Sequence, residues 1–180
     1  MNESAAGPAA RIWLAGLMGS GKSTVGAALA GQLGFRYVDN DAAIAAMTGQ
    51  TSTSLALAGG SSLHDGEQRY VRMLAGAEPP VVAGIPASAA DRPADLELLA
   101  ATGMLVYLRA EPAILIARTA NDPPRPWLAE SPAQVMTMMF RRRDPVLTER
   151  AHIVVNAARP VAEITALIMS AAKASRDGRP

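Results

Sequence analysis

Apolar positions along this chain switch between two periods, and the switches lay out its elements. Residues 11–16 (RIWLAG) form a short apolar run closing on glycine, and residues 22–33 (KSTVGAALAGQL) carry apolar side chains at helical spacing. Short apolar runs at 35–39, 80–84, 103–109 and 152–155 predict four more strands. Helical spacing recurs near 42–47, 68–74, 112–119, 131–143 and 161–174. Continuously apolar strands alternating with helices predict an α/β fold, a five-stranded parallel sheet between two helical layers (α/β/α).

A chain of 180 residues is one domain in size. Residues 11–174 read as a single domain, 1–10 as a disordered N-terminal extension and 175–180 as a frayed tail. Three prolines within 121–126 (NDPPRP) predict a mobile loop. With 49% hydrophobic and 18% charged residues, the chain has enough apolar material to fold. Its formal net charge of +1 supplies no basic field for a nucleic acid, so none is expected as a partner. No leader-like pattern opens the sequence and no segment is apolar enough to span a bilayer, so the expected location is cytoplasmic, away from membranes. The absence of cysteine excludes disulfides, thiolate metal sites and cysteine nucleophiles. With only His64 and His152 as imidazoles, zinc is nearly excluded as well.

Gly16, Gly21, Lys22 and Ser23 in GLMGSGKS satisfy G-x-x-x-x-G-K-[ST], placed after a predicted strand and opening a predicted helix. This is the phosphate-binding loop of P-loop NTPase-like folds. Its backbone N–H groups close around phosphate oxygens, and the helix N-terminus adds partial positive charge. Gly19, Ser20, Gly21, Lys22, Ser23 and Thr24 are therefore the expected ATP-binding residues, with Ser23 holding Mg²⁺. Lys22 is one of only two lysines in the chain, which suits a demand for a compact ammonium on a flexible stem. Asp39 and Asp41 (YVDND) follow the second predicted strand, at the carboxyl end where such sheets bind ligands. Asp41 reads equally as an N-cap for the following helix.

GLMGSGKSTVG, then YVDND, then RPWL in the proline-rich loop, together resemble the shikimate kinase family, over residues 11 to about 171. The resemblance implies ATP- and Mg²⁺-dependent phosphoryl transfer to a hydroxyl of a small cyclic polyol, shikimate being the family's acceptor. It implies Mg²⁺ at Ser23 and Asp39, and Asp41 as the general base. It makes 121–128 a lid carrying Arg125 to the phosphates, with Arg118 beside the adenine. It places acceptor binding within about 41–75 and gives Arg143, in RDPVL, the task of holding the acceptor's carboxylate.

Departures from the family gather on the acceptor side. Counted forward from Asp41 without gaps, a second carboxylate-binding Arg falls on Asp65, preceded by His64; a register shifted through Gly66-Glu67 puts Val71 there instead. The family's triple glycine corresponds to the Ile85-Pro86-Ala87 region, where proline has no N–H to offer. Residues 42–63 contain no charge at all. On the ungapped register Asp65 opposes Arg143, which predicts poor shikimate affinity and a neutral or cationic acceptor. Two alternatives stand beside this reading. One is a catalytically impaired nucleotide-binding protein with a regulatory or partner-binding role; the other is a nucleoside-monophosphate or gluconate-type kinase.

Overall fold

The sheet is organised around β1 (Arg11–Ala15), whose Ile12, Trp13 and Leu14 are fully buried in a computed structural model that describes residues 10–120 and 131–176. The 121–128 segment with Arg125, nearly all of the N-terminal extension and most of the tail lie outside the described residues. After β1 come α1 (Lys22–Leu33), β2 (Arg36–Val38), α2 (Asn40–Thr48), α3 (Ser52–Leu57) and α4 (Gly60–Ala75). The chain continues through β3 (Val81–Gly84), a 3-10 turn (Ala87–Asp91), α5 (Pro93–Thr102) and β4 (Met104–Arg109). It ends with α6 (Pro112–Thr119), α7 (Pro132–Arg150), β5 (Ile153–Asn156) and α8 (Val161–Arg176).

All five strands pair in parallel, in the order β2-β3-β1-β4-β5. Trp13 stands opposite Ala83 of β3 on one side and Leu105 of β4 on the other. Strands paired on both sides and covered on both faces must be apolar at consecutive positions, which is why β1, β3 and β4 read as unbroken hydrophobic runs. The chain leaves β1 for the β2 edge, comes back to β3, and then crosses to β4 on the far side. The carboxyl end of β1 is thus the switch point of the sheet, where a crevice opens. Helices α1 and α8 pack together in one group, while α4, α5 and α7 form another around β4 and the 3-10 turn. Among the described residues no helix is long and apolar enough to cross a membrane.

The structure departs from the sequence pattern at four helices. Helix α4 starts at Gly60, well before the expected 68–74, because Gly66, Tyr70, Val71 and Leu74 form one buried stripe in which a glycine stands where an apolar side chain would signal a helix. The short α3 and the ten-residue α5 were not expected. Helix α3 buries only Leu55, and α5 only Asp95, Leu96 and Leu99, so neither shows a repeating apolar face. Helix α7 runs on past the expected end at 143 and through Pro145 to Arg150. An interior proline costs about 3 kcal/mol, and here it is flanked by strong anchors. Asp144 accepts from the buried Tyr107 hydroxyl (2.8 Å) and from Arg109 Nε (2.8 Å) and Nη2 (3.2 Å), while Leu147 is 1% exposed. The Arg109 guanidinium also lies 5.1 Å from the centre of the Phe140 ring.

Loss of the Asp144 carboxylate leaves the Tyr107 hydroxyl buried without an acceptor. Asp144→Ala should therefore cost about 2 kcal/mol, the desolvation penalty of one orphaned polar group plus a lost charge-assisted bond. Adding Tyr107→Phe should recover part of that loss. Denaturant unfolding of the two single variants and the double variant measures the coupling.

Candidate active site

The loop after β1 turns sharply to feed α1, and Gly21, with φ 90°, occupies a conformation that side-chain-bearing residues avoid. As N-cap it offers no side chain to the first turn, so the leading N–H groups of α1 stay available to an anion in front of them. Lys22 Nζ folds across the loop and donates to the carbonyls of Gly16 (2.7 Å) and Leu17 (3.3 Å). The Ser20 hydroxyl is buried and has no hydrogen-bond partner among the described residues. Residues Gly19 to Thr24 all line one cleft of about 820 Å³.

Asp39, at the end of β2, ties three elements together. Its Oδ1 caps α2 by accepting from the N–H groups of Asp41 (3.0 Å) and Ala42 (3.2 Å), so the cap falls on Asp39 and not on Asp41. Its Oδ2 accepts from Ser23 Oγ (2.7 Å) on α1 and from the Tyr37 hydroxyl (3.2 Å). Burial by itself raises the Asp39 pKa, but the bonds from Ser23, Ala42, Tyr37 and Asp41 together outweigh it and hold the carboxyl below its usual value. Burial, and then the charge of Asp39, push the Tyr37 phenol up to about 12. Among the described residues no group of three or more acidic or histidine side chains could enclose a metal. A hydroxyl and an ionised carboxylate in contact nevertheless fit Mg²⁺, which keeps most of its octahedral shell as water and phosphate oxygen.

Freed from capping, Asp41 lines the cleft. Its Oδ1 accepts from Asn40 Nδ2 (3.0 Å) and Ser52 Oγ (3.0 Å), and Oδ2 has no hydrogen-bond partner among the described residues. Arg118 on α6 donates to the carbonyls of Gly19 (3.3 Å) and Ala157 (2.9 Å), joining the phosphate loop to the turn after β5. Arg159 lines the same end, a position the sequence motifs do not mark.

On the acceptor side the ungapped register is corrected. Asp65 is exposed on α4 and does not line the cleft, whereas His64 and Glu67 do. One helical step of 100° carries Asp65 off the face that His64 and Glu67 share at i and i+3. Val71, the other candidate, is fully buried in the core. Arg143 does line the cleft, but its partner is Asp91 of the 3-10 turn: Nη2 meets Oδ2 at 2.6 Å and Nε lies 3.2 Å from both oxygens. Glu67 Oε2 accepts from Ser88 Oγ (2.5 Å) and lies 3.0 Å from His64 Nδ1. Sequence reasoning missed Glu67 and Ser88, which line the cleft, and Asp91, which pairs with Arg143. The Gly66-Glu67 pair was the one available signal, whereas Asp91 sits in an alanine-rich turn without any motif. Arg125 lies outside the described residues.

Comparison with known proteins agrees with this arrangement. The shikimate kinase family profile matches residues 18–173. A shikimate kinase of Halorhodospira halophila is 37% identical over 147 residues, covering 81% of this chain and 82% of the relative. One from Burkholderia thailandensis is 37% identical over 155 residues, covering 85% and 84%. The solved structure of the Acinetobacter baumannii shikimate kinase in complex with shikimate superimposes with a TM-score of 0.81 at 30% identity, over 89% of this chain and 93% of that one. By profile, sequence and fold together, the chain belongs to the shikimate kinase family of small-molecule kinases.

Proposed function

We propose that the protein transfers the γ-phosphoryl group of ATP to a hydroxyl of a small cyclic polyol, with Mg²⁺. The observation that carries this reading is that Asp41, whose Oδ2 has no hydrogen-bond partner among the described residues, lines the same cleft as Lys22 and Ser23, so that a proton acceptor and a phosphate cradle share one space. Shikimate, bound by the Acinetobacter enzyme, is the family's acceptor and the reference compound for any assay.

Phosphoryl transfer asks little covalent chemistry of the protein and much positioning. The loop N–H groups and Lys22 hold the β and γ phosphates. Ser23 and Asp39 hold Mg²⁺, which when bound neutralises phosphate charge. Asp41 orients the acceptor hydroxyl and takes its proton as the new O–P bond forms and the bond to the β-phosphate oxygen breaks, releasing ADP. Arg118 flanks the adenine side. Arg125 is assigned to the transferring phosphoryl group by its place in RPWL, and 121–128 to a lid.

Lys22→Ala should lower turnover by roughly 100-fold or more, because it removes a charge aimed at the transferring group, and it should weaken ATP binding as well. Asp41→Asn should lower kcat by roughly 100-fold or more while ATP affinity, read by calorimetry, stays unchanged. Coupled assay of ADP release with a panel of ring polyols tests the reading as a whole. Transfer to none of them would favour a nucleotide-binding protein without a kinase reaction.

Asp39 gives a test at the level of stability. Its folded pKa lies below the usual 3.8, so its charge contributes stability that is complete above about pH 4 and is lost as pH falls through the folded value. Asparagine at this position can still cap α2. The denaturant midpoint of Asp39→Asn should therefore lie below that of the unmodified protein at pH 7, and the gap should narrow toward pH 2.

A further inference from the structure

The end of the cleft away from the phosphate loop, built from α4, the turn after β3 and α7, carries a charge pattern that the kinase reading does not use. Arg143 already has a carboxylate: its side chain and that of Asp91 are only 11% and 16% exposed, and three contacts join them. Arg142 adds a second cation to the same Asp91 from the outside, at 3.1 Å. Burial by itself raises the Asp91 pKa, but the bond and charge of Arg143, then the charges of Arg142 and His64, hold it lowered, so the carboxylate stays ionised and on its arginine.

Two successive positions of the turn after β3 have no N–H to give an anion. Ile85 N–H is committed to the Leu14 carbonyl (2.9 Å), and Pro86, which lines the cleft, has no N–H. Facing this turn is Glu67, with its side chain 12% exposed. Both of its contacts fall on Oε2, so Oε1, like Asp41 Oδ2, has no hydrogen-bond partner among the described residues. Asp41 and Glu67 thus both line the cleft with one carboxylate oxygen unpartnered among the described residues, while Arg143, which lines this end, is paired with Asp91.

We propose that the acceptor is a ring polyol without a carboxylate, neutral or bearing an amine, and that Glu67 is the residue that anchors and selects it. The inference rests on the phosphotransferase reading above and narrows its substrate class. A carboxylate entering here would have to displace Asp91 from Arg143 and would meet the charge of Glu67. A hydroxyl or ammonium group donates to Glu67 Oε1 directly, a charge-assisted bond worth about tenfold in affinity.

The test uses three compounds on one skeleton: shikimate, its methyl ester, and the same ring with an aminomethyl group replacing the carboxylate. Their charges are negative, zero and positive at one position. Binding is measured by calorimetry with a non-hydrolysable ATP analogue present, and transfer by ADP release. The ester and the amine are expected to bind at least about tenfold more tightly than shikimate, with the amine tightest. Glu67→Gln should remove the amine's advantage over the ester. Asp91→Asn should release Arg143 and raise shikimate affinity about tenfold, a gain that misfolding cannot produce. Shikimate binding tightest of the three to the unmodified protein would overturn the proposal. So would an Asp91→Asn variant that binds the ATP analogue with no gain for shikimate, or a failure of all three compounds to bind. Binding in the expected order without ADP release would uphold the charge selection and refute the kinase reading.

Discussion

Everything in this molecule depends on where β1 ends. Pairing with β3 on one side and β4 on the other buries the strand from Ile12 to Ala15 and directs its following loop into the gap that opens where the sheet's order reverses. The phosphate loop, the first turn of α1 and the cleft they line are consequences of that placement. Helix α1 then returns over the sheet to reach β2, which brings Asp39 back beside Ser23 although sixteen residues separate them.

Asp39 shows how few groups a site of this kind needs when each serves more than one end. One carboxylate caps α2, fixes Ser23 and engages Tyr37. Because Asp39 takes the cap, Asp41 is left out of it and lines the cleft instead, so a choice that belongs to local helix chemistry decides which carboxylate the cleft receives. On the acceptor side the same economy appears in α7, whose successive residues Arg143 and Asp144 point to different neighbours, one to the cleft and one to the sheet.

The glycine loop after β1 was legible in the sequence because its backbone conformation imposes fixed spacing on Gly16, Gly21, Lys22 and Ser23. The five strands were legible for a related reason, since burial on both faces demands consecutive apolar residues. The acceptor half was not. Asp65 and Glu67 differ by two positions on one helix, and only the pitch and start of α4 decide which of them meets the cleft. Glycine at 66 hid that start, and the pairing of Arg143 with Asp91 spans 52 positions between segments that share no motif. Pro145 marked a helix end by its own preference, but contacts of its neighbours to Tyr107, Arg109 and Asp91 outweigh it.

The division between these halves bears on how such an enzyme can change its specificity. The glycine loop, Lys22 and Ser23 follow directly on the central strand, whose Ile12 to Ala15 are buried in the core. Glu67, Ser88, Asp91 and Arg143 belong instead to α4, the turn after β3 and α7, outside the sheet; Arg143 and Asp91 neutralise each other, while Ser88 donates to Glu67 and leaves its charge in place. Exchanging partners within that set redistributes charge at that end of the cleft without touching a strand. The charge at this end of the cleft can therefore be reset by substitution on two helices and a turn, while the strand that carries the glycine loop stays as it is.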